Sequence, residues 1–129
     1  MMGKPNARRH NRDVRAIDPT IVLDLEQLRG VTLDDDELMG QILTALIDDT
    51  ARQIPLLEVA IRDQDAPKCA RLAHYSKGAC ANIGANAAAA VLEAMERQAA
   101  SGSVAECRVQ LARLASEVER LRRQSEPRA

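Results

Sequence analysis

VAECRVQLARLASEVERL, residues 104–121, decides the fold. Its apolar residues Val104, Cys107, Leu111, Leu114, Val118 and Leu121 alternate spacings of three and four, the period of one face of an α-helix. Arg and Glu fill the other faces. The same period recurs when the chain is read back from this segment. Ser101-Gly102-Ser103 is a turn, and before it Ala88, Val91, Leu92, Met95 and Ala99 mark a helix that Asn86 can cap. Gly84 allows a tight break. Asp65-Ala66-Pro67 reads as an N-cap followed by a first-turn proline, starting a helix that runs to about Ile83.

Further upstream, Thr32 or Asp34 caps a long helix whose first turn holds Asp35, Asp36 and Glu37, favourable against the positive end of the helix dipole. Leu38, Ile42, Ala45, Leu46, Ile54, Leu57 and Ile61 mark its inner face, and Pro55 predicts a bend near residues 51–55 rather than a stop. Ile17, Ile21, Val22, Leu25 and Leu28 suggest a short first helix ending at Gly30. No segment alternates with strand period. The expected fold is all-α: an antiparallel up-down four-helix bundle with a short additional N-terminal helix, over residues 16–124. Residues 1–15 form a basic leader and 125–129 a tail, both expected to be disordered.

Composition agrees. The 129 residues are 46% apolar but hold no Phe, no Trp and one Tyr, so the core is built from aliphatic residues and much Ala, which favours close-packed helices over sheets. Net charge is −1, which supplies no global field towards nucleic acid or membrane. The leader is the exception, with Lys4, Arg8, Arg9, Arg12 and Arg15 against Asp13. No apolar run has the roughly 18–20 residues needed to span a bilayer, and the leader lacks the apolar stretch of a signal peptide. Cys69, Cys80 and Cys107 have no metal spacing and read as reduced, buried thiols of a cytoplasmic protein.

The chemistry concentrates in LAHYSKGACANIGA, residues 72–85. At about 100° per residue, Cys69, Leu72, Ser76, Cys80 and Ile83 share an inner face, and His74 lies well off it, towards solvent. Its surface neighbours three and four residues away are the cations Arg71 and Lys77 and the minimal Ala70 and Gly78. A neutral imidazole is a good nucleophile near pH 7, and a nearby cation stabilises phosphoryl oxygens. Gly78 is the telling residue: glycine costs about 1 kcal/mol relative to Ala in a helix interior, in a chain that uses Ala nearly everywhere else. Its bare backbone clears space for something large to reach the imidazole.

His74 followed by Lys77-Gly78 and then Gly84-Ala85 resembles the histidine-containing phosphotransfer (HPt) family, whose signature is a His, Lys-Gly at the third and fourth positions after it, and Gly-Ala from the tenth. The resemblance covers roughly residues 20–124. It implies that His74 is phosphorylated on its outer ring nitrogen, that Lys77 holds the phosphoryl oxygens and that Gly78 lets a receiver domain dock, with Ala70, Arg71, Tyr75 and Ala81 around it. Glu96 stands where several family members place a polar residue that bonds the inner nitrogen; there it would fix the tautomer and raise the ring's basicity. The family's large apolar residue before the Lys is here Ser76. Met95 or Leu46 is expected to fill that space and the hydroxyl to bond a carbonyl one turn earlier.

The function these residues imply is a phosphocarrier without independent turnover. It would take a phosphoryl group from the receiver domain of a hybrid histidine kinase and pass it to a response-regulator receiver. It would be a monomer, with no tightly bound cofactor and no metal site of its own. His10 is expected to be inert, and no Gly-rich loop supports nucleotide binding. Ala85 to Ala90 serves either close helix approach or a flat docking patch. A rival class is a helical adaptor using residues 104–121 as an intermolecular coiled coil; a degenerate HPt domain that docks without accepting phosphate is a third.

Overall fold

The computed structural model describes residues 18–126; the basic leader with His10, Ile17, and residues 127–129 of the tail lie outside them. The elements are α1 (Leu25–Val31), α2 (Asp36–Arg62), α3 (Ala66–Ile83), α4 (Asn86–Ala100), a 3-10 turn (Val104–Glu106) and α5 (Cys107–Ser125). There is no strand among the described residues. The four long helices close a ring of contacts, α2 on α3, α3 on α4, α4 on α5 and α5 on α2, with α1 across one end. The periodicities of α3, α4 and α5 match their buried faces. Cys107, Leu114, Val118 and Leu121 are buried in the chain's own core, so most of the apolar seam of α5 packs internally.

The first helix is shorter than its apolar pattern suggests. It starts after Asp24, whose carboxylate accepts the Gln27 N–H at 3.2 Å. Upstream, Asp18 Oδ1 accepts both the N–H and the hydroxyl of Thr20, a local turn that competes with helix. Residues 21–24 instead pack as a non-helical strap over the α3–α4 junction: Ala87 N–H donates to Ile21 C=O at 2.9 Å and Asp24 N–H to Gly84 C=O at 2.8 Å. Gly30 lies within α1, not beyond its end. The chain turns at Leu33 and Asp34, both at positive φ, while Thr32 returns its hydroxyl to Leu28 C=O at 2.8 Å. Neither Thr32 nor Asp34 caps α2; Asp35 does, accepting the Leu38 N–H at 3.0 Å.

Helix α2 continues through Pro55 without stopping. Its buried stripe is Leu43, Leu46, Ile47, Thr50, Leu57, Ala60 and Ile61, rotated from the expected face. Leu38 and Ala45 are exposed and Ile42 is half-buried, because α2 must contact α3 on one side and α5 on the other, and its centre line falls between them. Ile42, Ala45 and Leu46 border a shallow groove with Ala79, Asn82 and Ile83 of α3.

Alanine decides the α3–α4 contact, the most extensive in the molecule. Ala73, Ala85, Ala88 and Ala89 are almost completely buried, and their small volume lets the two backbones approach. The run from Ala85 is therefore interior packing and not a docking patch. Asn86 does not cap α4 either: it is buried at the first helical position, and neither amide atom has a partner. The three cysteines are free and buried. Burial pushes the Cys69 thiol up to about 12 and the Cys80 thiol up to about 11.

Candidate phosphoryl-transfer site

Asp65 starts the helix that carries the site. Its carboxylate accepts the Lys68 N–H at 3.1 Å and Pro67 occupies the first turn. From that start Cys69, Ala73, Ser76 and Cys80 turn inwards, which leaves His74 on the outer face with its side chain 68% exposed. The other end is closed by Gly84 at φ +99, where an added Cβ would stand 2.8 Å from Asp24 O. Only glycine suits both the left-handed turn and that contact. Gln27 of α1 completes this end by donating from its side-chain amide to Ala81 C=O at 2.6 Å and Asn82 C=O at 3.1 Å, satisfying carbonyls that a helix terminus leaves open. Gln27 had no signal of its own in the sequence, since only the docking of α1 brings it there.

The close α3–α4 approach brings Glu96 to His74. Glu96 Oε2 lies 2.9 Å from His74 Nδ1, and Glu96 Oε1 lies 2.7 Å from Lys77 Nζ. An ionised carboxylate can only accept, so Nδ1 is the donor in this contact, and Nε2 faces away from Glu96. The ammonium of Lys77 bonded to the carboxylate holds Glu96 below the usual carboxylate range; the His74 bond acts in the same direction and partial burial against it. Glu96 is thus an anion at neutral pH, bridging the exposed imidazole and a cation on the neighbouring helix.

Gly78 lies one turn beyond His74, exposed, with nothing inside the protein that an added Cβ would meet. No internal packing accounts for it. Arg71 is exposed one turn before His74, and Tyr75 is 57% exposed beside it. Ala70 and Ala81 are half-buried, their small side chains keeping the surround low. His74, Lys77 and Glu96 are therefore bonded together, while Arg71, Tyr75 and Gly78 border them. Ser76 is the departure from expectation: it is 1% exposed and its hydroxyl has no partner at all, so the bond to a preceding carbonyl is not made.

No group of three His, Cys, Asp or Glu among the described residues is placed to hold a metal ion, and no helix among them is long and apolar enough to cross a membrane.

A family model described as the Hpt domain matches residues 41–124. No curated protein matches the chain. Among solved structures, the chain is similar to histidine-containing phosphotransfer protein B (HptB) from Pseudomonas aeruginosa PAO1. The TM-score is 0.75 and the identity 21%, over 81% of this chain and 90% of that one. It is also similar to a putative histidine-containing phosphotransfer protein from rice, with a TM-score of 0.69 and 21% identity over 81% of this chain and 76% of that one. At these identities the likeness is one of fold.

Proposed function

The chain belongs to the Hpt domain family, and from that premise we propose that His74 is its phosphoryl acceptor in a multistep phosphorelay. The observation that carries this reading is the placement of the ring: Glu96 Oε2 lies 2.9 Å from Nδ1 of an exposed His74, which leaves Nε2 as the nitrogen open to an incoming group. The family's role is that of a carrier and not of an enzyme with turnover, and receiver domains are its partners. The phosphoaspartate of a hybrid kinase's receiver is the donor and a response regulator's aspartate the onward acceptor. In the acceptance step Nε2 attacks phosphorus, the acyl-phosphate O–P bond breaks, and aspartate departs as a carboxylate. Lys77 turns to the phosphoryl oxygens. Any Mg²⁺ belongs to the receiver.

Docking is assigned to the surface around Gly78, with Ala70, Arg71, Tyr75 and Ala81, extended by the apolar groove between α2 and α3. A receiver must bring its own active site over His74, and Gly78 removes the side chain that would stand in its way. A monomer is assigned because Cys107, Leu114, Val118 and Leu121 of α5 face the chain's own core. A cytoplasmic setting fits three buried, unpaired thiols.

The test is phosphoryl transfer from a phosphorylated hybrid-kinase receiver to the wild-type chain and to His74→Gln. Acid-labile, alkali-stable label is expected on the wild type alone. Equal labelling of both, or none on either while a control carrier accepts, would reject His74 as acceptor and leave a docking-only domain.

A further inference from the structure

Lys77 has one ammonium, and in the resting protein it is already taken. It lies 2.7 Å from Glu96 Oε1, and both side chains are about three-quarters withdrawn from solvent. The phosphoryl group that arrives on Nε2 needs the same cation. Glu96 also grips the far side of the ring through Nδ1, so the carboxylate acts on the phosphorylated state in two ways.

We propose that Glu96 makes the phosphoryl bond on His74 short-lived, by keeping the Nδ1 proton on the phosphorylated ring and by competing with the phosphoryl group for Lys77. The proposal rests on His74 being the acceptor. When Nε2 attacks, the N–P bond forms, the donor's O–P bond breaks, and the ring holds both the phosphoryl group and the Nδ1 proton. It is then a phospho-imidazolium. An anion 2.9 Å from Nδ1 favours that charged form. In the next step the N–P bond breaks to an incoming carboxylate or water, and the ring leaves as neutral imidazole with its Nδ1 proton unmoved. A neutral leaving group departs more readily than an imidazolate. No proton crosses the ring in either direction, so Glu96 is a positioning residue that serves acceptance and release alike.

The lysine adds to this effect. A phosphoryl group with full use of Lys77 would have its charge neutralised and would persist. One that shares Lys77 with a carboxylate across the same ring is less well held. Arg71 on α3 and the Glu93–Arg97 pair on α4 make no ion pair with Glu96. A residue with these two contacts suits a relay intermediate that hands on and does not store.

Glu96→Gln separates the charge from the shape, because its amide oxygen can still accept from Nδ1. The wild-type chain and this variant would be phosphorylated with phosphoramidate, which needs no docking surface. The half-life of phospho-His74 would be read after donor removal, with ¹⁵N NMR reporting protonation of Nδ1. The variant is expected to hold phosphate roughly three- to tenfold longer and to lose the Nδ1 proton of the phosphorylated ring at a lower pH. In a Lys77→Met background the lengthening is expected to shrink, as the pair is coupled. An unchanged or shorter half-life, with circular dichroism showing the fold intact, overturns the proposal. Equal lengthening in both backgrounds overturns the lysine exchange. Wild type that accepts from phosphoramidate but from no receiver would instead defeat the relay reading and leave the role of Glu96 standing.

Discussion

Gly78 and Gly84 stand six residues apart in one motif, and they are there for opposite reasons. Gly84 is buried at φ +99 with a backbone oxygen of Asp24 where a Cβ would go. Its hydrogen could not become a methyl group without moving the strap at residues 21–24. Gly78 is in regular helix, exposed, with open space around it. The folded chain has no use for its bareness. One glycine answers to the fold and, on the proposed function, the other to a partner, although in the sequence both are simply glycines after a histidine.

Substitution separates them. Gly84→Ala puts a side chain into the left-handed region, which costs about 1–2 kcal/mol, and forces the strap away. A loss of about 2–3 kcal/mol is expected as a lower urea midpoint at unchanged slope, with the remaining folded protein still accepting phosphate. Gly78→Ala should do the reverse, raising stability by about 0.5–1 kcal/mol while slowing transfer from a receiver and leaving phosphoramidate labelling unchanged. A destabilised Gly78→Ala would collapse the distinction between the two positions.

Ser76, between them in kind, sharpens it. Its buried hydroxyl has no partner, so Ser76→Ala removes an unsatisfied group and improves helix propensity, with a gain of about 0.5–1 kcal/mol expected in the same titration and no change in labelling. A loss would mean that the hydroxyl has a partner in solution. The smallest effect concerns pH. Because the folded-state carboxyl of Glu96 is held below its ordinary value of 4.5, its contribution is complete above that value and is lost as pH falls through the lower folded one. The stability difference between wild type and Glu96→Gln should therefore shrink as the pH is taken below 4.5. A difference that grows below that value would show the carboxyl shifted the other way.

Much of this was legible beforehand. The seam of α5, the Asp65 start of α3 and the outward turn of His74 follow from periodicity and capping, which are local. The reading failed where local patterns competed. Ile21 and Val22 fit a helix, but the strap they enter exchanges backbone bonds with Gly84 and Ala87, 60 or more positions along the chain. Leu38, Ile42 and Ala45 have helical spacing too, yet the stripe that α2 buries is set by where α3 and α5 lie. Asn86 could cap a helix in isolation; in the packed chain Ala85 takes that place and Asn86 is buried with its amide unpaired.

By itself the sequence determined the helical class and the inward and outward faces of α3, with His74 on the outer one, because a 3.6-residue period needs no distant partner. It also placed Glu96 opposite the histidine, through resemblance. Only the tertiary structure decided that one carboxylate bridges His74 and Lys77, which ring nitrogen it reaches, and which of two glycines the fold itself requires. Those depend on how closely α3 and α4 approach, and that distance is set by the packing of buried alanines on both helices together.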